Sequence, residues 1–281
     1  MCERLLIEKG SVQETLIIPL YARKKCTDKF PQLYTDPAAS EICSKIEYDF
    51  SELDRLYEKT MYEFGAMEAA MRQLDMMWEI NDYISDHPDA SIVCLGCGLD
   101  LDSRRCGSKR NRIFNVDFPD VIAAREQIAG TTPRETNIPM DLTDHRWMQQ
   151  IDAKAGAVFF ALGVFHYLEK EDVKALILKM AEVFPCCRLV FDTVGKVGYK
   201  LMMKEVLKKH GMKDFGNLFY SGNAVKELSA WSNRIKVSSR GYMLGYYDMN
   251  NPGVSGICRL LARAGDGLMK MQIVRVEMTG E

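Results

Sequence analysis

The chain has 281 residues, 47% of them apolar and 27% charged, enough to bury a large core as one α/β domain or one domain with a small lid. Its net charge of −2 gives no basic footprint for nucleic acid. The longest apolar run, Gly156 to Phe165, is about half a membrane span, and the first ten residues carry too many charges for a signal-peptide core. A cytoplasmic protein with no nucleic-acid or membrane partner is expected, and its oligomeric state is left open.

Helical patterns come first. Asp36 before Pro37 reads as an N-cap with proline at the first helical position. Glu63 to Ser85 reads as a long helix, with Met67, Ala70, Met71, Leu74, Met77 and Trp78 at helical spacing and a stop at His87-Pro88-Asp89. Strand and helix then alternate. Strands are predicted at 91–95, 112–117, near 134–139, at 156–162 and at 188–191, with helices from Phe118-Pro-Asp120 through Ile128 and from Glu169 to Phe184. That rhythm predicts a mostly parallel, doubly wound sheet with helices on both faces. Residues 196–281 are less periodic, although Ile235 to Val237 and Met271 to Glu277 look like strands for the sheet edge. The expected division is a helical lid over 1–88 and a core over 89–281, with a less regular insertion over 196–230, all one integrated domain.

The chemistry concentrates at Ser91-Ile-Val-Cys-Leu-Gly-Cys-Gly-Leu99, an apolar run ending in Gly-x-Gly. A continuously apolar run reads as a strand covered on both faces. Gly96 and Gly98 remove side chains where the chain turns, so a ligand can approach the backbone. Asp117 ends the next apolar run about twenty residues on, where a carboxylate accepts hydrogen bonds from a ribose diol. A dinucleotide fingerprint needs a third glycine, and here Leu99-Asp100-Leu101-Asp102 follows instead, with two carboxylates that repel a pyrophosphate. A nucleoside carrying a cation suits this loop better, and S-adenosylmethionine is the obvious candidate.

Several ordered motifs carry a resemblance. Glu14-Thr-Leu-Ile-Ile-Pro-Leu-Tyr-Ala-Arg23 and Tyr34-Thr-Asp-Pro-Ala-Ala39 resemble the entry segment of the leucine carboxyl methyltransferase family. Leu95-Gly-Cys-Gly-Leu-Asp100 is similar to its cofactor loop, and Asn115-Val-Asp-Phe-Pro-Asp-Val-Ile-Ala-Ala-Arg125 to its second-strand signature. Asp141-Leu142 and Gly163-Val-Phe-His-Tyr-Leu168 follow in order. The match runs from about residue 14 to 192 and is nearest the bacterial tetracenomycin-type polyketide O-methyltransferases. It implies a Rossmann-like class I methyltransferase fold, S-adenosylmethionine as donor with S-adenosylhomocysteine as product, and O-methylation of a small-molecule, polyketide-like acceptor. The resemblance also assigns residues. Arg23 and Arg72 stand at positions for the methionine carboxylate, which a guanidinium binds in a bidentate manner. Cys97, Asp100, Phe118, Leu162 and Gly163 line the same site. Asp141 either accepts from the adenine amino group, with the Leu142 amide nearby, or caps a helix entering at Asp141-Leu-Thr-Asp144. Two departures stand out: the family often has Glu where this chain has Leu162, and its Asp-Thr-Arg is Asp100-Leu101-Asp102 here.

A carboxylate acceptor is ionised at neutral pH, whereas an alcohol or phenol needs a base. His166 follows the tip of the fourth core strand and is the candidate; otherwise it packs at the strand–helix junction. Tyr167 would shape the pocket. Lid side chains are expected from the N-terminal helices and from Met202, Met203, Phe215, Phe219 and Tyr220, unless these are ordinary core. Nine cysteines and four scattered histidines give no matched metal set, so the cysteines are expected to be buried, reduced thiols and no metal is expected. Other readings are a protein C-terminal carboxyl methyltransferase and a non-catalytic scaffold on a decayed methyltransferase fold. A nucleic-acid methyltransferase is disfavoured by charge.

Overall fold

The computed structural model of the protein describes residues 4–7, 14–202, 218–251 and 253–280. The chain opens with strand β1 (Leu5–Leu6), helices α1 (Glu14–Lys29) and α2 (Pro37–Lys45), and strand β2 (Ile46–Glu47), which pairs in parallel with β1. Helices α3 (Ser51–Tyr57) and α4 (Thr60–Asp86) follow. The alternating part comprises β3 (Ser91–Leu95), β4 (Ile113–Asp117), α5 (Pro119–Ala129), β5 (Glu135–Pro139), β6 (Ala157–Ala161), α6 (Lys170–Val183) and β7 (Arg188–Thr193). A helix α7, described over 196–202, then α8 (Ala224–Ser229), β8 (Ile235–Gly241), α9 (Gly256–Ala264) and β9 (Gln272–Met278) complete it.

Seven strands form one sheet in the order β5-β4-β3-β6-β7-β9-β8. The first five are parallel, and β9 runs antiparallel between β7 and β8. Strand order reverses between β3 and β6. At such a switch point the connections leave in opposite directions and open a crevice at the strands' carboxyl ends.

The pleat sorts the core. Ile92, Cys94, Val158, Phe160 and Val190 join Met67, Met71 and Ile80 of α4 and Cys258 and Ala262 of α9 in one cluster. Their neighbours Val93, Leu95, Phe159, Leu189 and Phe191 join Trp147 and the α6 stripe Val173, Leu176, Ile177 and Met180 in the other. Each such fully buried aliphatic side chain contributes roughly 2 kcal/mol. Helices α1 and α2 close a third cluster with Ile17, Leu20, Ile42, Leu99 and Ile128, against the loop after β3.

The expected α/β fold is the observed one, and β3 begins and ends where the apolar run does. Helix α4 starts at Thr60 rather than Glu63, because the Tyr62 and Glu63 amides already bond the Lys59 carbonyl. Strand β8 runs past Val237 to Gly241, carried by its pairing with β9 after the apolar alternation ends. Asp36 caps α2 by accepting from the Ala39 amide, as read from the sequence. No described helix is long and apolar enough to cross a membrane.

Candidate functional site

The crevice is framed by two loops. After β3 the chain turns through Gly96 at φ +68° and Gly98 at φ +48°. Asp117 at the tip of β4 holds this turn, its Oδ2 accepting from the Gly98 amide at 2.7 Å and its Oδ1 from the Phe118 amide at 2.8 Å. Burial pushes the Asp117 carboxyl above its usual range, and the two amides pull against it. Fully buried Arg125 binds the Gly98 and Asp100 carbonyls from below. Asp100 in turn accepts from the Gln73 side chain at 2.6 Å and the Asp102 amide at 2.6 Å, so α4 is tied to the loop.

The two glycines act differently. A Cβ at Gly96 would lie 2.5 Å from a methyl of Val164, so the space that the sequence reading left to a ligand is filled by the β6 loop. At Gly98 such an atom would meet only Leu16, at 3.4 Å. Gly98 thus has more room on its Cβ side than Gly96, while its amide and carbonyl are held by Asp117 and Arg125. Cys97 between them is buried, and burial pushes its thiol up to about 12, which keeps it neutral. Seven described cysteines are buried free thiols, but Cys186 is exposed, on a left-handed turn at φ 65°.

The second loop follows β6. Leu162 packs on the α4 side of the core, and Gly163 adopts φ +72°. Its amide donates to Asp192 Oδ1 at 2.6 Å, and Asp192 Oδ2 accepts from Arg72 Nη1 at 2.9 Å. Arg72 is therefore in a buried ion pair, not a surface one. Its Nε is buried and unpartnered, and Nη2 would stand 3.6 Å from a Cβ at Gly163. The Nε–Nη2 edge is the side of a guanidinium that grips a carboxylate with two parallel bonds, and its Nε is without a partner. Glu68, one turn earlier on α4, accepts from the Tyr242 hydroxyl at 2.9 Å. Burial raises its carboxyl, against the pull of Arg72 and of that hydrogen bond.

Arg23 is placed differently. Its Nε donates to Asp36 at 2.9 Å and its Nη1 lies 3.9 Å from Asp100, beside the Tyr34 hydroxyl that bonds Asp102 at 3.1 Å. This cluster braces the loop after β3. Asp102 is buried there, and burial pushes its carboxyl up to about 6.

His166 and Tyr167 lie in a short 3-10 turn, Phe165–Tyr167, anchored by Phe165 against Phe191. His166 is buried, and burial pushes its imidazole down to about 4, with Asp192 acting against that shift. Tyr167 is half exposed, its ring 4.7 Å from that of His166. Phe118 is an exposed aromatic beside Asp117. Asp141 closes a local turn by accepting from the amide and hydroxyl of Thr143, while the 3-10 helix after it is capped by Asp144, so Asp141 is not that cap. Leu142 is buried and its carbonyl accepts from the Trp147 indole. Phe219 is core, between Phe191 and Trp231, rather than lid, and Tyr220 stacks on Tyr199. Met202 is half-buried; Met203 and Phe215 lie outside the described residues.

Sequence reasoning does not single out Glu68, Asp192 or Tyr242. Asp192 nearly closes an apolar strand at its carboxyl end, the same signal that marks Asp117. Glu68 is signalled only by its spacing of four from Arg72.

The fold is shared with a DUF574 family protein from Streptomyces avermitilis, which superposes with a TM-score of 0.59 at 11% identity, covering 95% of this chain and 97% of that one. It is the Rossmann-like α/β fold of class I methyltransferases. Two relatives are each 28% identical. The tetracenomycin polyketide synthesis O-methyltransferase TcmP of Streptomyces glaucescens aligns over 67% of this chain and 68% of its own. The S-adenosyl-L-methionine-dependent methyltransferase dpfgK of Gibberella zeae aligns over 70% and 72%. The model of the family described as leucine carboxyl methyltransferase matches residues 19–181, more than half of the chain and all of the site except Asp192 and Tyr242. This chain belongs to the leucine carboxyl methyltransferase family.

Proposed function

We propose that this methyltransferase transfers the methyl group of S-adenosylmethionine to a carboxyl or hydroxyl oxygen of a small-molecule, polyketide-like acceptor. One observation carries the reading: three complementary features line the switch-point crevice. They are the Arg72 guanidinium with its unpartnered Nε, the Gly98 turn, and the Asp117 carboxylate at the tip of β4. These residues fit the donor. The unpartnered Arg72 edge matches the methionine carboxylate, and Asp117 retains lone pairs for the ribose hydroxyls beyond those its two amides use. Phe118 supplies a face for the adenine ring, and the turn after β5 at Asp141 and Leu142 borders the same end of the sheet.

The bound donor supplies an electrophilic methyl group and its own leaving group, so the protein's task is to align and desolvate the acceptor. A carboxylate acceptor arrives ionised. For a hydroxyl, the proton must leave as the oxygen–carbon bond forms. His166 is held neutral and free to accept it, although a value near 4 makes it a weak base. Glu68, its carboxyl raised by burial, is a second candidate base. Tyr167 shapes the acceptor side, and α4, part of the expected lid, carries both Arg72 and Glu68.

The O-methyltransferase name of the Streptomyces glaucescens relative supports the acceptor class. The family's own description favours a second reading, a protein C-terminal carboxylate. A transfer assay with isotopically labelled donor separates them, using matched panels of aromatic hydroxyl compounds, aromatic carboxylic acids and peptides with free C-termini. Label on a small-molecule oxygen supports the first reading. Label confined to peptide termini replaces it with the second.

A further inference from the structure

Asp192 has no part in the donor contacts just described, yet it touches Arg72, which makes one of them, and Gly163 in the loop after β6. Its carboxylate is 3% exposed and divides its oxygens, Oδ1 to the Gly163 amide at 2.6 Å and Oδ2 to Arg72 Nη1 at 2.9 Å. A planar guanidinium held by one terminal nitrogen keeps its opposite edge fixed in direction, and here that edge is unpartnered at Nε. The guanidinium packs on Gly163, whose left-handed φ of +72° turns its amide toward Asp192; Arg72 Nη1 and Nη2 lie at van der Waals distance, 3.5 and 3.6 Å, from where a Cβ would be. Arg72 comes from α4 and Asp192 from β7, 120 residues apart, so the pair also locks the helix to the crevice. Glu68, Tyr242 and His166 are all near enough to the guanidinium to interact with it electrostatically.

We infer that Asp192 is a positioning residue for the donor's amino-acid end, acting through Arg72 to aim the guanidinium edge that carries the unpartnered Nε at the methionine carboxylate. This rests on the donor reading above. An Asn at 192 keeps the shape but turns an acceptor into a donor facing Nη1 or the Gly163 amide, so the aim is lost while the packing remains. A merely structural role would instead affect any ligand of the crevice.

Two ligands make the distinction. S-adenosylhomocysteine carries the amino-acid arm, and 5′-methylthioadenosine has the same nucleoside without it. Calorimetric titration of wild type, Asp192→Asn, Arg72→Lys and the double variant measures both, with Asp192→Ser as a second variant if Asn impairs folding. The expected result is a loss of about tenfold or more in S-adenosylhomocysteine affinity for Asp192→Asn, and less than about twofold for 5′-methylthioadenosine. The double variant should be no weaker than Arg72→Lys, because both substitutions break one unit. Equal loss for the two ligands, or a wild-type affinity ratio in Asp192→Asn, overturns the inference while leaving the donor reading intact. Wild-type protein that binds neither ligand overturns the donor reading and this inference with it.

Discussion

Replacing His166 by Gln should make the protein less sensitive to mild acid. The imidazole is buried at the end of β6 and held neutral, with burial pushing it down to about 4 from an ordinary value of 6.5. The unfolded chain therefore binds more protons than the folded one between about pH 4 and 6.5, and stability falls as pH drops through that window. The shift corresponds to roughly 3 kcal/mol in full, and about 2 kcal/mol is already lost between pH 7 and pH 5. Asp75 and Asp102, which burial pushes up to about 7 and about 6, bind protons preferentially when folded and oppose this trend. Only the difference between wild type and variant isolates the histidine. Urea unfolding of both at pH 7 and pH 5 provides it. Wild type should lose about 2 kcal/mol more than the His166→Gln variant over that interval. An equal loss in both would refute a buried, neutral His166, and with it the claim that this group is free to accept a proton at neutral pH.

Other substitutions test other parts of the site. Gly96→Ala combines a left-handed backbone with a contact of 2.5 Å to Val164, and should cost about 2 kcal/mol or more in chemical denaturation. Val164→Ala in the same chain should recover part of that loss; no recovery would mean that the backbone conformation alone sets the cost. Phe118→Ala removes a side chain that is 53% exposed, so stability should change by less than about 0.5 kcal/mol while S-adenosylhomocysteine binding weakens several-fold by calorimetry. Asp36→Ala removes the α2 cap and strands buried Arg23 beside Asp100, and should lower stability by about 2 kcal/mol or more in a thermal or urea melt.

Much of this architecture is legible residue by residue. The strand at Ser91–Leu95 is readable because both its faces are covered and its run is apolar after the first residue. Asp36 before Pro37 announces α2 with a local rule that tertiary contacts do not override. What is less legible depends on contacts between distant segments. Asp192 reads as part of an apolar strand until Arg72, 120 residues earlier, is brought against it. Gly96 looks like a concession to a ligand, and only the fold shows Val164 occupying its place. Arg23 and Arg72 are equivalent as letters in a sequence. Asp36, Asp100 and Asp102 commit the first to bracing a loop, whereas Asp192 bonds the second only at Nη1 and leaves its Nε without a partner.

The central claim, that the crevice between β3 and β6 binds S-adenosylmethionine through Asp117 and Arg72, is tested most directly by calorimetric titration with S-adenosylhomocysteine. Wild type and Asp117→Ala are compared, with circular dichroism to show that both are folded. Binding on the order of micromolar, weakened at least about tenfold in the variant, is the predicted result. A folded wild-type protein that takes up neither S-adenosylhomocysteine nor S-adenosylmethionine would contradict it.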